Sequence, residues 1–287
     1  MDWYSNSNAR QEDDWSKQNY ADLKRKLIAA NHILDFQGVV DAYGHISIRH
    51  PQNPDIYLMS GYMAPALVKS SGDLIEYWVN DSSTVDPKAG KGYSERFIHG
   101  EMFRMYPDVN CVVHSHAEDV LPYVAATEVP MIPVFHMAGF LGSHVPVFDI
   151  EKIYEPDDQQ DMLIRNARFG TALAKHFSQN PNSTSPSLDR TVVLMRRHGY
   201  TTYGTDIETA VYRAIYTKVN AGTQTNTLLV RNAFDRDPSG VGNGPGFEPM
   251  SEKMLKGCQK MNEGTQDKPW ALWVAQVENN SLYRNLG

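Results

Sequence analysis

The run Cys111-Val-Val-His-Ser-His116 constrains this chain more than any other segment. It is short, apolar and β-branched at its centre, and it leaves through polar residues, so residues 110–116 read as a buried strand. Side chains alternate along a strand, which puts His114 and His116 on one face, about 7 Å apart along the chain. Two imidazoles so placed can close on one metal ion, and a third ligand is then required. Residues Thr191-Val-Val-Leu-Met-Arg-Arg-His198-Gly199 supply one, since there a second strand empties into a histidine beside a glycine. Three protein ligands leave a position open for water or substrate, the arrangement of a catalytic metal site. Taken singly, any of the ten histidines reads equally well as a hydrogen-bonded core or surface residue. The joint pattern carries the inference.

A helix is expected over residues 94–105, ended by Pro107, with Ser94 capping its first amides. Glu95 falls in the first turn, where the helix dipole favours a carboxylate by about 0.3–1 kcal/mol. His99 follows four residues later on the same face. It is not needed as a ligand, because the strand pair and His198 already make three. Arg196 and Arg197 precede His198 and suit either a bidentate grip on a substrate carboxylate or surface ion pairs.

Elsewhere Tyr20, Leu23, Leu27, Ala30 and Leu34 recur at helical spacing over residues 16–36, with Gly38 as the stop. Residues 43–50 and 55–59 read as paired strands across a Pro/Asn turn, and residues 71–79 as a turn and a third strand. Short helices are expected over 117–127, with Glu118 and Asp119 in the first turn, and over 161–177. Between them lies an apolar, glycine-punctuated stretch holding His136 and His144, suited to a pocket wall. Thr205-Asp-Ile-Glu208 reads as a capping box opening a helix to about residue 230. Two further helices are expected over 250–261 and 270–277, with Trp270 and Trp273 packing on their own subunit.

These elements suit a single α/β domain with tails, and 287 residues suffice for a sizeable core. The net charge of −7 argues against a broad nucleic-acid surface. No run approaches 18 consecutive apolar residues and the N-terminus lacks a signal-peptide core, so no membrane partner and a cytoplasmic location are expected. Two isolated cysteines give no disulfide framework.

Gly44-His-Ile-Ser-Ile-Arg49, Leu58-Met-Ser-Gly61, Ser94-Glu95, Tyr106-Pro-Asp-Val-Asn-Cys-Val-Val-His-Ser-His116 and Arg197-His198-Gly199 together resemble the class II aldolase/adducin superfamily over about residues 20–230. The resemblance implies a three-layer α/β/α fold around a central, largely antiparallel sheet. It also implies a divalent metal on His114, His116 and His198, zinc first, with Mn, Mg, Co or Fe as alternatives. Glu95 is implied as acid/base or labile ligand, and a homotetramer with pockets at subunit interfaces follows. On this reading residues 1–15 are a flexible arm, 16–232 the catalytic domain, and 233–287 an extension packing on the domain or on a neighbouring subunit.

Two departures bear on the substrate. Sugar-phosphate aldolases of the family carry an asparagine after the first glycine, which helps bind phosphate; here the residue is His45, a substrate-binding or a structural histidine. The loop Ser60-Gly-Tyr-Met-Ala-Pro65 also departs from the phosphate-binding type. His136-Met-Ala-Gly-Phe-Leu-Gly142 resembles instead the decarboxylase branch, similar to hydroxy-carboxymuconic semialdehyde decarboxylases. Where the aldolases place a proton-donating tyrosine this chain has Met137, which makes its neighbour His136 a proton donor alongside Glu95. His45, Ser60, Ser94 and Arg197 are the implied substrate-binding positions. The expected activity is a metal-dependent carbon–carbon lyase, a decarboxylase of a small keto or hydroxy carboxylate acting through a metal-stabilised enolate. The alternatives are an aldolase, a non-heme iron oxygenase acting on an aromatic acid, and a non-catalytic adducin-like binding module.

Overall fold

Strands buried on both faces can only sit in the middle of a layered structure. The computed structural model describes residues 15–126, 128–234 and 249–287, and there seven strands form one sheet. In chain order they are β1 (His45–Arg49), β2 (Ile56–Ser60), β3 (Leu74–Trp78), β4 (Cys111–Ser115), β5 (Val147–Phe148), β6 (Val192–Met195) and β7 (Gly199–Gly204). Their order across the sheet is β3-β2-β1-β4-β7-β6-β5. Every pairing is antiparallel except that of β5 with β6.

One face is covered by α1 (Tyr20–Phe36), α5 (Ile207–Phe234) and α7 (Asp267–Glu278), over Ile46, Ile48, Leu58, Val113 and Tyr200. The other is covered by α2 (Arg96–Met105) and α4 (Ala167–Lys175), over Tyr57, Met59, Val112, Val193 and Tyr203. The fold is therefore the three-layer α/β/α arrangement around a largely antiparallel sheet. Central β4 is buried along its whole length, so its apolar residues run continuously. The same period that sends Val112 toward α2 sends His114 there too.

Several boundaries differ from the sequence expectation. Asn19 caps α1, accepting from the amides of Ala21 and Asp22. The helix at 117–127 shrinks to α3 (Leu121–Ala125), so Glu118 and Asp119 lie in the preceding turn. That at 161–177 shrinks to α4, capped by Asn166 at the amide of Phe169. At the start of α5 the cap is Asp206, whose Oδ1 accepts from the Thr209 amide at 2.6 Å, and Glu208 pairs with Lys26 instead of folding back on Thr205. Strand β7 went unread in sequence because all six of its residues are buried and no alternation marks it.

At the C-terminus α6 (Glu252–Glu263) and α7 form as expected. Trp273 is buried in the core beside Tyr216, and Trp270 packs at its edge. Cys111 and Cys258 are free thiols. Of the expected arm at residues 1–15 all but Trp15, which opens a 3-10 turn (Trp15–Lys17), lies outside the described residues, as does the Gly/Pro-rich stretch at 235–246. No described helix is long and apolar enough to cross a membrane.

Arg49 closes the end of the sheet remote from His114. It is buried and donates to the carbonyls of Val109, Pro54, Phe103 and Tyr106. Burial lowers its pKa to about 10, so it stays charged at pH 7. Arg49→Leu strips four carbonyls of a shared donor and is expected to cost about 2–4 kcal/mol. Denaturant unfolding checks this, and a loss under about 0.5 kcal/mol, the scale of ordinary surface substitutions, would mean that water replaces the guanidinium.

Candidate metal centre

The sheet brings three histidines to one place by two local devices. His114 is near the end of β4 and His116 lies one residue beyond the strand, so the extended backbone keeps both side chains on one side. His198 arrives on the hairpin between β6 and β7, where Met195 pairs with Gly199 around three turn residues. Arg197 takes a left-handed conformation there, with φ of 55°, and the His198 amide donates to Met195 O at 3.0 Å. Gly199 then passes so close to β4 that a Cβ on it would lie 2.1 Å from Ser115 O and 3.1 Å from His116 Cδ2. Only glycine permits that approach.

Glu95 completes the group. It stands at the N-terminal boundary of α2, 6% exposed, and does not cap its own helix. Instead its Oε1 accepts from the backbone amide of Ile164 at 3.0 Å. Ser94, expected to cap, is exposed in the turn before it. The helix thus starts two residues later than the sequence suggested, and the carboxylate is free to reach inward.

Glu95, His114, His116 and His198 each offer one donor atom, all within 4.8 Å of one another. His114 Nε2 lies 2.8 Å from His116 Nε2. Glu95 Oε2 is 3.7 Å from His114 Nε2 and Oε1 is 3.5 Å from His198 Nε2. His114 Nδ1 donates to the carbonyl of Tyr200 at 3.1 Å, which fixes the proton on Nδ1 and leaves Nε2 a bare lone pair. Ser115, pointing to the opposite face, donates to Val39 O and accepts from the Ala117 amide at 3.0 Å, anchoring the strand end.

The electrostatics suit a cation. Burial, then the charges of His116 and His198, hold the His114 imidazole well below its ordinary pKa. Burial, then His198, lowers His116. Burial alone would raise the Glu95 carboxyl, but His198, the Ile164 amide and His116 outweigh it and hold it below its ordinary value. At pH 7 His114 and His116 are therefore neutral and Glu95 is ionised, as metal ligation requires. A set of imidazoles with one carboxylate fits a divalent transition metal.

The remaining sequence candidates scatter. His45 is buried against His114, with ring centroids 5.1 Å apart. Ser60 is buried at the end of β2. Arg197 is exposed and pairs with Glu151 at 3.3 Å, while Arg196 pairs with Asp149 at 2.6 Å. Within the chain both arginines are thus engaged in ion pairs rather than lying among the grouped donors. His136 is exposed at the start of a 3-10 turn (His136–Leu141), and its carbonyl accepts from Asn262; it is not one of the four grouped residues. Sequence reasoning missed the Ile164 amide and the Tyr200 carbonyl, which are backbone groups without a side-chain signature. It also missed the partner of His99, described below.

Residues 25–225 match the Class II Aldolase and Adducin N-terminal domain. The chain is 46% identical over 264 residues to decarboxylase tropJ of Talaromyces stipitatus, covering 91% of this chain and 96% of that one. It is 26% identical over 221 residues to 3,4-dihydroxyphthalate decarboxylase of Arthrobacter keyseri, covering 72% and 79%. Among solved structures, L-fuculose 1-phosphate aldolase from Glaciozyma antarctica PI12 superposes with a TM-score of 0.64 at 18% identity, covering 94% of this chain and 98% of that one.

Proposed function

The chain belongs to the class II aldolase and adducin family, and from that premise we propose that it is a metal-dependent lyase that decarboxylates a small hydroxylated or keto carboxylate. The observation that carries the reading is the convergence of Glu95, His114, His116 and His198. Likeness to two decarboxylases supports loss of CO2 as the reaction. Zinc is the first choice among the divalent ions that three imidazoles suit, with iron, manganese, magnesium and cobalt as the alternatives. When bound, the ion supplies positive charge beside the substrate oxygen on which negative charge develops as the carbon–carbon bond breaks.

The protein's own groups handle orientation and the proton. The Tyr200 carbonyl and the Ile164 amide hold His114 and Glu95 in place, so little reorganisation accompanies the reaction. Ionised Glu95 takes the proton of the substrate hydroxyl and delivers it to the neighbouring carbon that bears the carboxylate, which turns the hydroxyl carbon into a carbonyl β to that carboxylate. The C–CO2 bond then breaks, its electron pair flowing into the carbonyl to leave an enolate or phenolate oxygen. CO2 departs and water reprotonates the oxygen; a β-keto acid enters at the bond-breaking step, and its enolate carbon then takes the proton. His136, exposed on this chain, belongs to the reading only as a residue offered to a neighbouring copy in a homotetramer.

The test is CO2 release by purified protein from 2-hydroxybenzoic acids and β-keto acids, before and after chelation. Expected is release that chelation abolishes and added divalent metal restores. Release undiminished in chelator removes the metal from the reaction, and cleavage to an aldehyde without CO2 makes the protein an aldolase.

A further inference from the structure

His99 is wholly buried on α2 and contributes nothing to the metal cluster, yet both its ring nitrogens are engaged. Nδ1 lies 2.6 Å from Ser47 Oγ and Nε2 lies 2.7 Å from His45 Nδ1. Ser47 and His45 share the α2 face of β1, and His45 pairs with His114 across the sheet. The three side chains thus form one line running from the sheet interior to the wall of the metal centre.

The direction of the hydrogens along that line follows from counting donors. Burial lowers the His99 pKa to about 3, so its ring is neutral and carries one N–H. If that hydrogen sat on Nδ1, it would point at Ser47 Oγ, and the Ser47 hydroxyl would need another acceptor. No other side-chain bond of Ser47 is formed among the described residues, and a buried hydroxyl hydrogen without a partner is costly. The satisfied arrangement has Ser47 donating to His99 Nδ1 and His99 Nε2–H donating to His45 Nδ1. His45 Nδ1 is then the acceptor, and its single hydrogen must sit on Nε2, the ring nitrogen turned away from His99.

We propose that Ser47 and His99 are positioning residues that fix the tautomer of His45, so that His45 presents Nε2–H as a hydrogen-bond donor to a substrate carboxylate beside the metal centre. The carboxylate part rests on the decarboxylase reading above. An asparagine, as the sugar-phosphate aldolases have here, offers its own N–H2 and needs no such support. A histidine is a donor in one tautomer and an acceptor in the other, so it needs a residue that decides.

Nitrogen-15 spectra of the metal-free full chain, assigned through a His45→Gln control, read the tautomer directly. Expected is Nε2–H on His45 in the wild type and a mixture of tautomers in Ser47→Ala. Binding of 2-hydroxybenzoate to the metal-loaded protein reads the consequence. His99→Leu is expected to weaken it at least about tenfold, the scale of one hydrogen bond to a charged group, with metal content unchanged. His99→Gln, whose amide accepts from Ser47 and donates to His45, is expected to stay within about threefold of the wild type. An Nδ1–H tautomer on wild-type His45 overturns the proposal even in a protein that releases CO2, and Nε2–H upholds the chain even in one that does not. Equal losses in the leucine and glutamine variants would likewise overturn it, since packing alone would then explain them. If His99→Leu does not fold, Ser47→Ala carries the binding test in its place.

Discussion

His198→Ala is expected to abolish stoichiometric metal binding and to take turnover below about 1% of the wild type, while the fold survives. The hairpin turn that carries His198 is shaped by backbone: the Met195–Gly199 pairing, the left-handed Arg197 and the close pass of Gly199. None of these needs the imidazole. The ring itself stacks on His116, 4.9 Å between centroids, and faces Glu95. Removing it reduces four donors to three. Loss of a mere outer-shell partner costs 10- to 100-fold in metal affinity, so loss of a direct donor should exceed about a hundredfold. Elemental analysis after dialysis measures the content. Thermal unfolding gives an independent reading: at a thousandfold excess of metal over its dissociation constant the wild type gains about 4 kcal/mol, and the variant, weakened more than a hundredfold, should gain less than about 1.4 kcal/mol at the same metal concentration. A variant that keeps stoichiometric metal and full activity would place the centre elsewhere.

What could be read from the sequence was whatever depends on side-chain period. A strand alternates faces, so His-x-His sets two imidazoles on one side wherever the strand runs, and this is how His114 and His116 lie. Helix spacing likewise placed α1, α5 and the two C-terminal helices. Features set by backbone geometry or by contacts distant in sequence were not legible. Ser94 next to Glu95 looks like a cap, but the Ile164 amide, 69 residues on, takes the carboxylate and delays the helix. His198 was read at a strand end, whereas it sits in the turn of a hairpin whose second strand shows no alternation because both its faces are buried. Arg197 beside His198 suited either a substrate grip or a surface ion pair, and the choice depended on Glu151, 46 residues away, with which it pairs at 3.3 Å. His99 was set aside as a ligand, and the structure places it outside the four-residue group, but no local pattern could show that β1 would bring His45 and Ser47 to its two nitrogens.

Glu95→Gln separates the proton-handling role proposed for that residue from its proposed place among the metal ligands. The substitution keeps the shape, and the amide oxygen still accepts from Ile164, so neither the start of α2 nor the 162–164 loop should move. What disappears is the negative charge and the capacity to take a proton. If Glu95 moves the proton between oxygen and carbon, kcat should fall by about 10²–10⁴, the usual worth of a positioned acid/base, at metal concentrations that saturate the site. The three histidines remain, so metal should still bind at saturation, with lower affinity once a carboxylate has gone. The comparison that matters is therefore kcat under saturating metal, not activity at one fixed metal concentration. A variant within tenfold of the wild type there would strip Glu95 of the acid/base role. Activity restored in full by raising metal would make it a ligand alone. A loss that metal does not repair, with unchanged stability of the metal-loaded protein, is the result expected for a carboxylate held ionised in a buried site by His198, Ile164 and His116.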